Sequence, residues 1–236
     1  MNIEKAVADV EEACKSLRHN VIVVDDGSLD ATFSLASRTS ATVLRHERNM
    51  GKGAALRTAL NAVRNQYDIL VIQDADLTIP AKQILVLVDR IWRGESDVVY
   101  ATRMKGKMDA GAMPRYRKLG NKLFASMVRV LTGESLSDTL SGQKAFNAKI
   151  LENITIETDS WPDFELIFKA WAMRSRASEI PVHYLPRKGR SKMKIFRHGS
   201  WFIWQIIKWY RKTVFLRIGL RRSQEVLSTA RLPDIG

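Results

Sequence analysis

Cysteine is almost absent, with Cys14 the only one in 236 residues, so no intrachain disulfide is possible and a reducing setting fits best. Histidine is nearly as scarce. His19, His46, His183 and His198 are too dispersed to suggest a zinc site, and no Ser-His-Asp arrangement is discernible. No uncharged apolar run reaches the length of about 18 residues that a membrane span needs, and no signal-peptide pattern opens the chain. The sequence is therefore expected neither to cross a membrane nor to be secreted by that route. Internal repeats and low-complexity segments are also missing. Acid is the telling shortage: 25 Asp and Glu stand against 38 Lys and Arg, a formal net charge of +13. Such a balance asks for an anionic partner, whether nucleic acid, an anionic membrane surface or a phosphorylated substrate.

The rest is ordinary for a folded protein, with 45% hydrophobic residues and length enough for one large domain or one domain with an appendage. Ile3, Val7, Val10, Cys14 and Leu17 recur at helical spacing, which predicts a helix over 3–17. Val21-Ile22-Val23-Val24 is a continuous β-branched run of the kind buried on both faces in parallel sheets. It ends in the turn Asp25-Asp26-Gly27-Ser28, and Asp30 or Ser28 can cap a short helix to about Arg38. Strands are predicted at 41–45, 69–73 and 97–101, and helices after the Asn49–Gly53 loop to about Gln66 and from Pro80 to Trp92. This alternation predicts an α/β fold, a mostly parallel sheet with helices on both faces. Further on, a helix carries Leu119, Leu123, Met127 and Leu131, a short strand follows Gly142, a helix begins at Asp163, and 179–184 alternates as a strand.

In such sheets ligands gather at the carboxyl ends of strands. Three polar motifs fall there: Asp25–Ser28, Asn49-Met50-Gly51-Lys52-Gly53 and Asp74-Ala75-Asp76. Two carboxylates at a strand end can hold a hard divalent cation, such as Mg²⁺ or Mn²⁺, whose other ligands are water and phosphate oxygens. Gly51 and Gly53 let backbone approach a ligand closely, with Lys52 between them; the alternative is a helix-start loop with no ligand. The Walker spacing is missing, so this is not a P-loop. Acids near a metal position with Arg and Lys downstream suit a diphosphate.

Val24-Asp25-Asp26-Gly27-Ser28, Asn49-x-Gly51-Lys52-Gly53 and Asp74-Ala75-Asp76-Leu77 with Pro80 resemble the inverting family 2 glycosyltransferases of GT-A fold. Within that family the chain is most similar to dolichyl-phosphate mannose and glucose synthases. Gly111-Ala112-Met113-Pro114, Arg117-Lys118-Leu119-Gly120-Asn121, Asp138-Thr139-x-Ser141-Gly142 and Arg187-x-Gly189-x-Ser191-Lys192 extend the resemblance to about residue 195. It implies transfer of a hexose, mannose or glucose, from a nucleotide sugar such as GDP-mannose or UDP-glucose to a polyprenyl or dolichyl phosphate. On that resemblance Asp25, Asp26, Gly27, Ser28, Lys52, Gly53, Asp74, Ala75 and Arg103 bind the nucleotide sugar, and Asp74 and Asp76 hold the metal. Arg117, Arg187, Ser191 and Lys192 bind the acceptor phosphate, and Asp76, Arg117 and Asp138 are the catalytic candidates. Asp163 and Glu165 either position sugar or acceptor or serve as helix caps and partners for basic residues.

The chain departs from the family by beginning just before its first helix, without the usual first strand and Pro-x-x-Asn-Glu loop. The expectation is an amino-terminally incomplete catalytic domain over 1–195, in which Val21–Val24 lacks a neighbour. A second departure is Arg190 in the middle of Gly189-Arg190-Ser191. Residues 196–236 form a different segment, where Phe196, Trp201, Phe202, Trp204, Trp209 and Tyr210 are interleaved with Lys and Arg. This pattern predicts an amphipathic helix at an anionic membrane surface, on the cytoplasmic face; the alternative is a helix packed on the protein or a partner. Other readings are a different lipid or glycan acceptor, a non-catalytic relative, and a basic nucleic-acid-binding protein. The last would need a recognisable module or an aromatic stacking platform.

Overall fold

Among the described residues, the β-branched run after the first helix forms a strand that is paired along one edge only. This computed structural model describes residues 3–64, 66–187 and 195–229, with side chains of the last helix described from 198 to 218. Helix α1 (Ile3–Cys14) turns Ile3, Val7 and Cys14 inward. β1 (Ile22–Asp25) and β2 (Thr42–Arg45) pair in parallel, with Ile22 opposite Thr42 and Asp25 opposite Arg45. Between them α2 (Thr32–Ala36) stops short of Arg38, because the Ser37 and Thr39 hydroxyls bond back to the Phe33 and Ala36 carbonyls.

The chain continues through α3 (Lys52–Ala62), β3 (Ile69–Gln73), a 3₁₀ turn at Ala81–Gln83, α4 (Ile84–Trp92) and β4 (Val98–Thr102). Then come α5 (Arg115–Thr132), β5 (Gln143–Asn147), α6 (Ala148–Leu151), α7 (Asp163–Ala172), β6 (Ala177–Pro181) and α8 (Ile195–Thr229). α5 ends at Gly133, whose left-handed backbone (φ 80°) closes the last turn through its N–H on the Arg129 carbonyl. The strands β3, β5, β4 and β6 form a second sheet in that spatial order. β5 runs antiparallel to both β3 and β4, and β4 and β6 are parallel, so β3, β4 and β6 share one direction. The strand expected over 179–184 is shifted to Ala177–Pro181. At His183 the backbone N–H and carbonyl bond the Gln83 side chain, and Tyr184 makes only an isolated bridge to Met108.

β4 is buried along its whole length, and its alternating side chains enter two apolar layers. Val98 and Tyr100 join Phe146, Phe164, Phe168 and, from α8, Phe202, Ile206 and Trp209. Val99 and Ala101 join Ala145, Leu87 and Ile91. α8 thus packs on α5 and α7 and contributes to the main core. Its other side exposes Trp204, Ile207, Phe215, Leu216 and Ile218.

β3 and β1 differ from the expectation of strands buried on both faces. Ile69, Leu70, Val71, Ile72, Ile22, Val23 and Val24 are all only half-buried. The two sheets are separate, and β1 and β3 face each other across a gap lined by both strands.

Candidate functional site

The site lies where β1, β3 and α3 converge. Asp26, just past β1, is the hub of the first two motifs. Its carboxylate accepts from the Met50 N–H at 2.8 Å, the Gly51 N–H at 2.7 Å and the His46 ring at 2.8 Å. Asn49 Nδ2 adds a bond to the Asp26 carbonyl. Burial disfavours the Asp26 charge, yet the Met50 amide, His46 and the Gly51 amide hold its carboxyl below the usual range. His46 is buried between Asp26 and the Thr58 hydroxyl, a structural role. Asp25 is buried as well, 3.3 Å from Arg45 Nε, and accepts from the Ser28 N–H. Gly27 is forced here: its φ is 68°, and a Cβ would lie 2.3 Å from the Arg48 carbonyl carbon.

α3 begins against the 156–160 loop. The Asp159 carbonyl accepts from both Gly53 and Ala54, taking two of the free N–H groups of the first turn. That loop is in turn held by Glu165, whose buried carboxylate accepts from the Glu157 and Thr158 N–H groups and from Lys169. Gly53 leaves no room for a side chain, since a Cβ would lie 1.8 Å from the Thr158 carbonyl oxygen. Lys52, at the same helix start, reaches across and donates to Asp74 Oδ1 at 2.7 Å. Burial pulls its pKa down, but Asp74, Asp163 and Asp76 outweigh that and push it well above the usual lysine value.

The Asp74-Ala75-Asp76 turn leaves β3 with Leu77 in the left-handed region at φ 59°, a strained conformation for a γ-branched residue. Asp76 Oδ1 accepts from the Thr78 N–H at 3.0 Å and the Thr78 hydroxyl at 2.6 Å, and its Oδ2 pairs with Arg187. The Asp74 N–H is bound by the Gly142 carbonyl, and a Cβ on Gly142 would fall 2.0 Å from Asp74 Oδ2. The Asp74 carboxylate therefore sits in a cradle that only glycine leaves open. Among the described residues no three His, Cys, Asp or Glu side chains form a metal cage. The donor set fits a hard divalent cation that draws its remaining ligands from water and phosphate.

Three further cations border this rim. Arg103 grips Asp138 in a bidentate pair, Nε to Oδ2 at 2.7 Å and Nη2 to Oδ1 at 2.8 Å, with the Tyr184 ring 5.1 Å from its guanidinium. Asp138 is wholly buried; burial works against its charge, but Arg103 holds it ionised below the usual range. Asp138 thus touches Arg103 rather than open space, and Glu179 fixes its loop by accepting from the Ser137 and Asp138 N–H groups. Arg117, in the first turn of α5, lines the same cavity, and its buried Nε finds no partner among the described residues. Arg187 is the third, spread on Asp76. Ser191 and Lys192 lie outside the described residues.

Beneath the rim a buried ion pair joins Lys144 of β5 to Asp163 at the start of α7, and Lys144 also donates to the Ser141 carbonyl. Burial opposes the Asp163 charge, while Lys144 and then Lys52 hold its carboxyl below the usual range. Asp163 and Glu165 are therefore supports under the site. Sequence reasoning passed over Lys144, Asp159, Glu179 and Tyr184. For Lys144 a signal existed, a lysine inside an otherwise buried strand; Asp159 acts through its backbone carbonyl, which no side-chain pattern reveals.

A family model described as glycosyl transferase family 2 matches residues 2–155. The low-salt glycan biosynthesis hexosyltransferase Agl6 of Haloferax volcanii is 28% identical over 207 residues, 84% of this chain and 49% of that protein. The dolichyl-phosphate hexose transferase of the same organism is 30% identical over 199 residues, covering 84% of this chain and 83% of the relative. The chain thus spans about half the length of Agl6 and most of the hexose transferase. Among solved structures, glucosyl-3-phosphoglycerate synthase from Mycobacterium tuberculosis, in complex with Mn²⁺, UDP-glucose and phosphoglyceric acid, superposes with a TM-score of 0.69. It covers 89% of this chain and 76% of that one at 21% identity, a likeness of fold.

Proposed function

Because the chain belongs to glycosyl transferase family 2, we propose that it moves a hexose from a nucleoside-diphosphate sugar to a polyprenyl or dolichyl phosphate with inversion. The observation that carries this reading is the rim itself: Asp74 and Asp76 on one turn, faced by Lys52, Arg187, Arg103 and Arg117. A diphosphate is the ligand that needs both a hard-metal site and surrounding cations.

The reaction is a single displacement. An oxygen of the lipid phosphate attacks the anomeric carbon as the bond to the nucleoside diphosphate breaks on the opposite side, which inverts the centre. No general base is needed, because a phosphate monoester already carries negative charge near neutral pH. Asp74 and Asp76 would hold Mg²⁺ or Mn²⁺, which neutralises charge on the departing diphosphate. Lys52 lies beside that position. Arg103, held rigid by Asp138, presents fixed positive charge at low reorganisation cost. Arg117, with a buried Nε free to donate, suits the acceptor phosphate. Arg187 rests on Asp76 and is available to follow phosphate oxygens when they arrive. The Asp25–Ser28 and Asn49–Gly53 loops, laced together by Asp26, form the wall for the nucleoside.

A lipid-linked acceptor would bring the protein to a membrane surface. No helix among the described residues is long and apolar enough to cross a membrane. The exposed side of α8, with Trp204, Ile207 and Phe215 beside Lys208 and Arg211, suits the headgroup region of an anionic leaflet.

The test is a panel of radiolabelled nucleotide sugars, GDP-mannose and UDP-glucose first, incubated with polyprenyl phosphate and Mn²⁺ or Mg²⁺. One donor should yield a lipid-extractable product, and Asp76→Ala should abolish it. Absence of lipid-linked product from every donor, with nucleotide and metal present, sinks the reading.

A further inference from the structure

The turn that carries Asp74 and Asp76 is closed by a side chain standing just outside it. Gln73, the last residue of β3, donates from its side-chain Nε2 to the Asp74 carbonyl at 3.2 Å and to the Ile79 carbonyl at 3.1 Å. One amide thus ties together both ends of the segment that holds the two acids. Inside that segment Leu77 keeps a left-handed φ of 59°. Such a conformation persists only where its surroundings over-determine it. The Gln73 bridge is one constraint; the Gly142 carbonyl on the Asp74 N–H and the Leu185 N–H on the Thr78 carbonyl are two more.

Gln73 is itself held from β5. Gln143 lies directly opposite it in the antiparallel register, wholly buried, and its Nε2 donates to Gln73 Oε1 at 2.6 Å. The direction of these bonds follows from the groups present. The Asp74 and Ile79 carbonyls can only accept, so the Gln73 NH₂ faces them, its oxygen turns to β5, and Gln143 answers with its own NH₂. Without the Gln143 donor the Gln73 oxygen would meet β5 unpaired, and the half-exposed amide would be drawn off the loop toward water. The arrangement carries a cost, because Gln143 Oε1 is buried and finds no partner among the described residues. Two apolar side chains would fill the same cross-strand position without an orphaned acceptor. Packing therefore does not account for the pair.

On the reading of Asp74 and Asp76 as metal ligands, on which this rests, we infer that Gln143 is a positioning residue for the metal site. It acts through Gln73 on the placement of the two carboxylates. Among the described residues its side chain bonds neither acid. Three consecutive residues then serve one turn: Gly142 leaves room for the Asp74 carboxylate, Gln143 orients the bridge, and Lys144 braces the Ser141 carbonyl just before them. Partners that fix ligating groups in this way commonly account for about tenfold to hundredfold in metal affinity.

The test is Mn²⁺ titration of the full chain, followed by electron paramagnetic resonance, in the parent, Gln143→Met, Gln73→Met and the double variant. Gln143→Met keeps length and burial but removes the amide. It should weaken Mn²⁺ binding about tenfold or more and alter the spectrum of the bound ion. A merely structural role would lower Tm and leave the affinity and spectrum of the folded protein as they were. Because Gln143 acts through Gln73, Gln73→Met should lose at least as much, and the double variant no more than Gln73→Met alone. Parental affinity and spectrum in folded Gln143→Met overturn the inference and leave the metal reading standing. Additive losses in the double variant overturn it as well. Should Gln143→Met fail to fold, Gln73→Met decides, and parental Mn²⁺ affinity there overturns the inference. A parent that binds no Mn²⁺, alone or with GDP or UDP, sinks the metal reading and this inference with it.

Discussion

Lys52 Nζ donates to Asp74 Oδ1 at 2.7 Å, so the first side chain of α3 is seated on the first acid of the β3 turn. A divalent cation arriving at Asp74 has to share or displace that ammonium. Lys52→Met should therefore raise Mn²⁺ affinity in the absence of nucleotide, by about threefold to tenfold given the partial exposure of the pair. The same substitution should weaken nucleoside diphosphate binding in the presence of Mn²⁺, because a phosphate-facing cation is lost. Titration calorimetry with Mn²⁺ alone and then with GDP or UDP separates the two effects. A variant that loses affinity for both would show that Lys52 supports the turn rather than competing with the metal.

Gly142 and Gly53 make a paired test of cradle and scaffold. A methyl on Gly142 meets mainly the Asp74 carboxylate, which can rotate away, and the Asp74 Cβ at 2.9 Å, which needs only a small shift, whereas a methyl on Gly53 meets the Thr158 carbonyl, which cannot move without shifting the backbone. Gly142→Ala should keep Tm within a few degrees but lose most Mn²⁺ binding. Gly53→Ala should lower Tm by about 5 °C or more. Thermal scans with and without Mn²⁺ check both, and the reverse pattern would show that Asp74 is not a metal ligand.

Asp138 is buried against Arg103, and Asn in its place keeps the shape but leaves a guanidinium without its counter-ion. Breaking a buried pair in this way costs about 3 kcal/mol, or a Tm drop of about 6–12 °C for a chain of this size. The pH dependence has a definite sign. The Asp138 carboxyl is held below its ordinary value in the folded chain. Its contribution is thus fully present above the unfolded value near about pH 4 and is lost as pH falls through the folded value. Melting curves of the parent and Asp138→Asn should stand apart at pH 7 and converge in acid. A constant gap from pH 7 to 3 would mean that the charge of Asp138 is not what stabilises the loop.

The rim was readable because Asp25–Ser28, Asn49–Gly53 and Asp74–Asp76 each follow an apolar run, and strand ends in a parallel sheet share one side. Asp26 illustrates what was not readable. Its place among the motifs is plain, but its three bonds to His46 and to the Met50 and Gly51 amides come from residues 20, 24 and 25 positions away. β5 was visible only as a short strand after Gly142. Its reversed direction was hidden because Gln143 and Lys144 look solvent-facing, while in fact both are buried, Gln143 bonded to Gln73 and Lys144 to Asp163. The break between the sheets is not written in local sequence, since Val21–Val24 and Ile69–Ile72 both read as ordinary buried strands. For α8, composition marked an amphipathic helix. Which of its aromatics face inward depended on where α5 and α7 lie.

That division within α8 gives the last prediction. Phe202, Ile206 and Trp209 are buried against the core, whereas Trp204 and Ile207 are about half exposed and Phe215 is 75% exposed. If the outer side meets a membrane, charge placed there should remove binding without unfolding the domain. Trp204→Glu with Ile207→Glu should cut flotation with vesicles of about 30% anionic lipid severalfold, and should move Tm by no more than about 2 °C. Raising salt to about 0.5 M should weaken the parent's binding as well, since Lys208 and Arg211 act through screened charge. Trp209→Ala should behave oppositely, lowering Tm by about 6–20 °C through loss of core packing. Unchanged flotation of the double variant would remove α8 from the membrane and leave it as a packing helix alone.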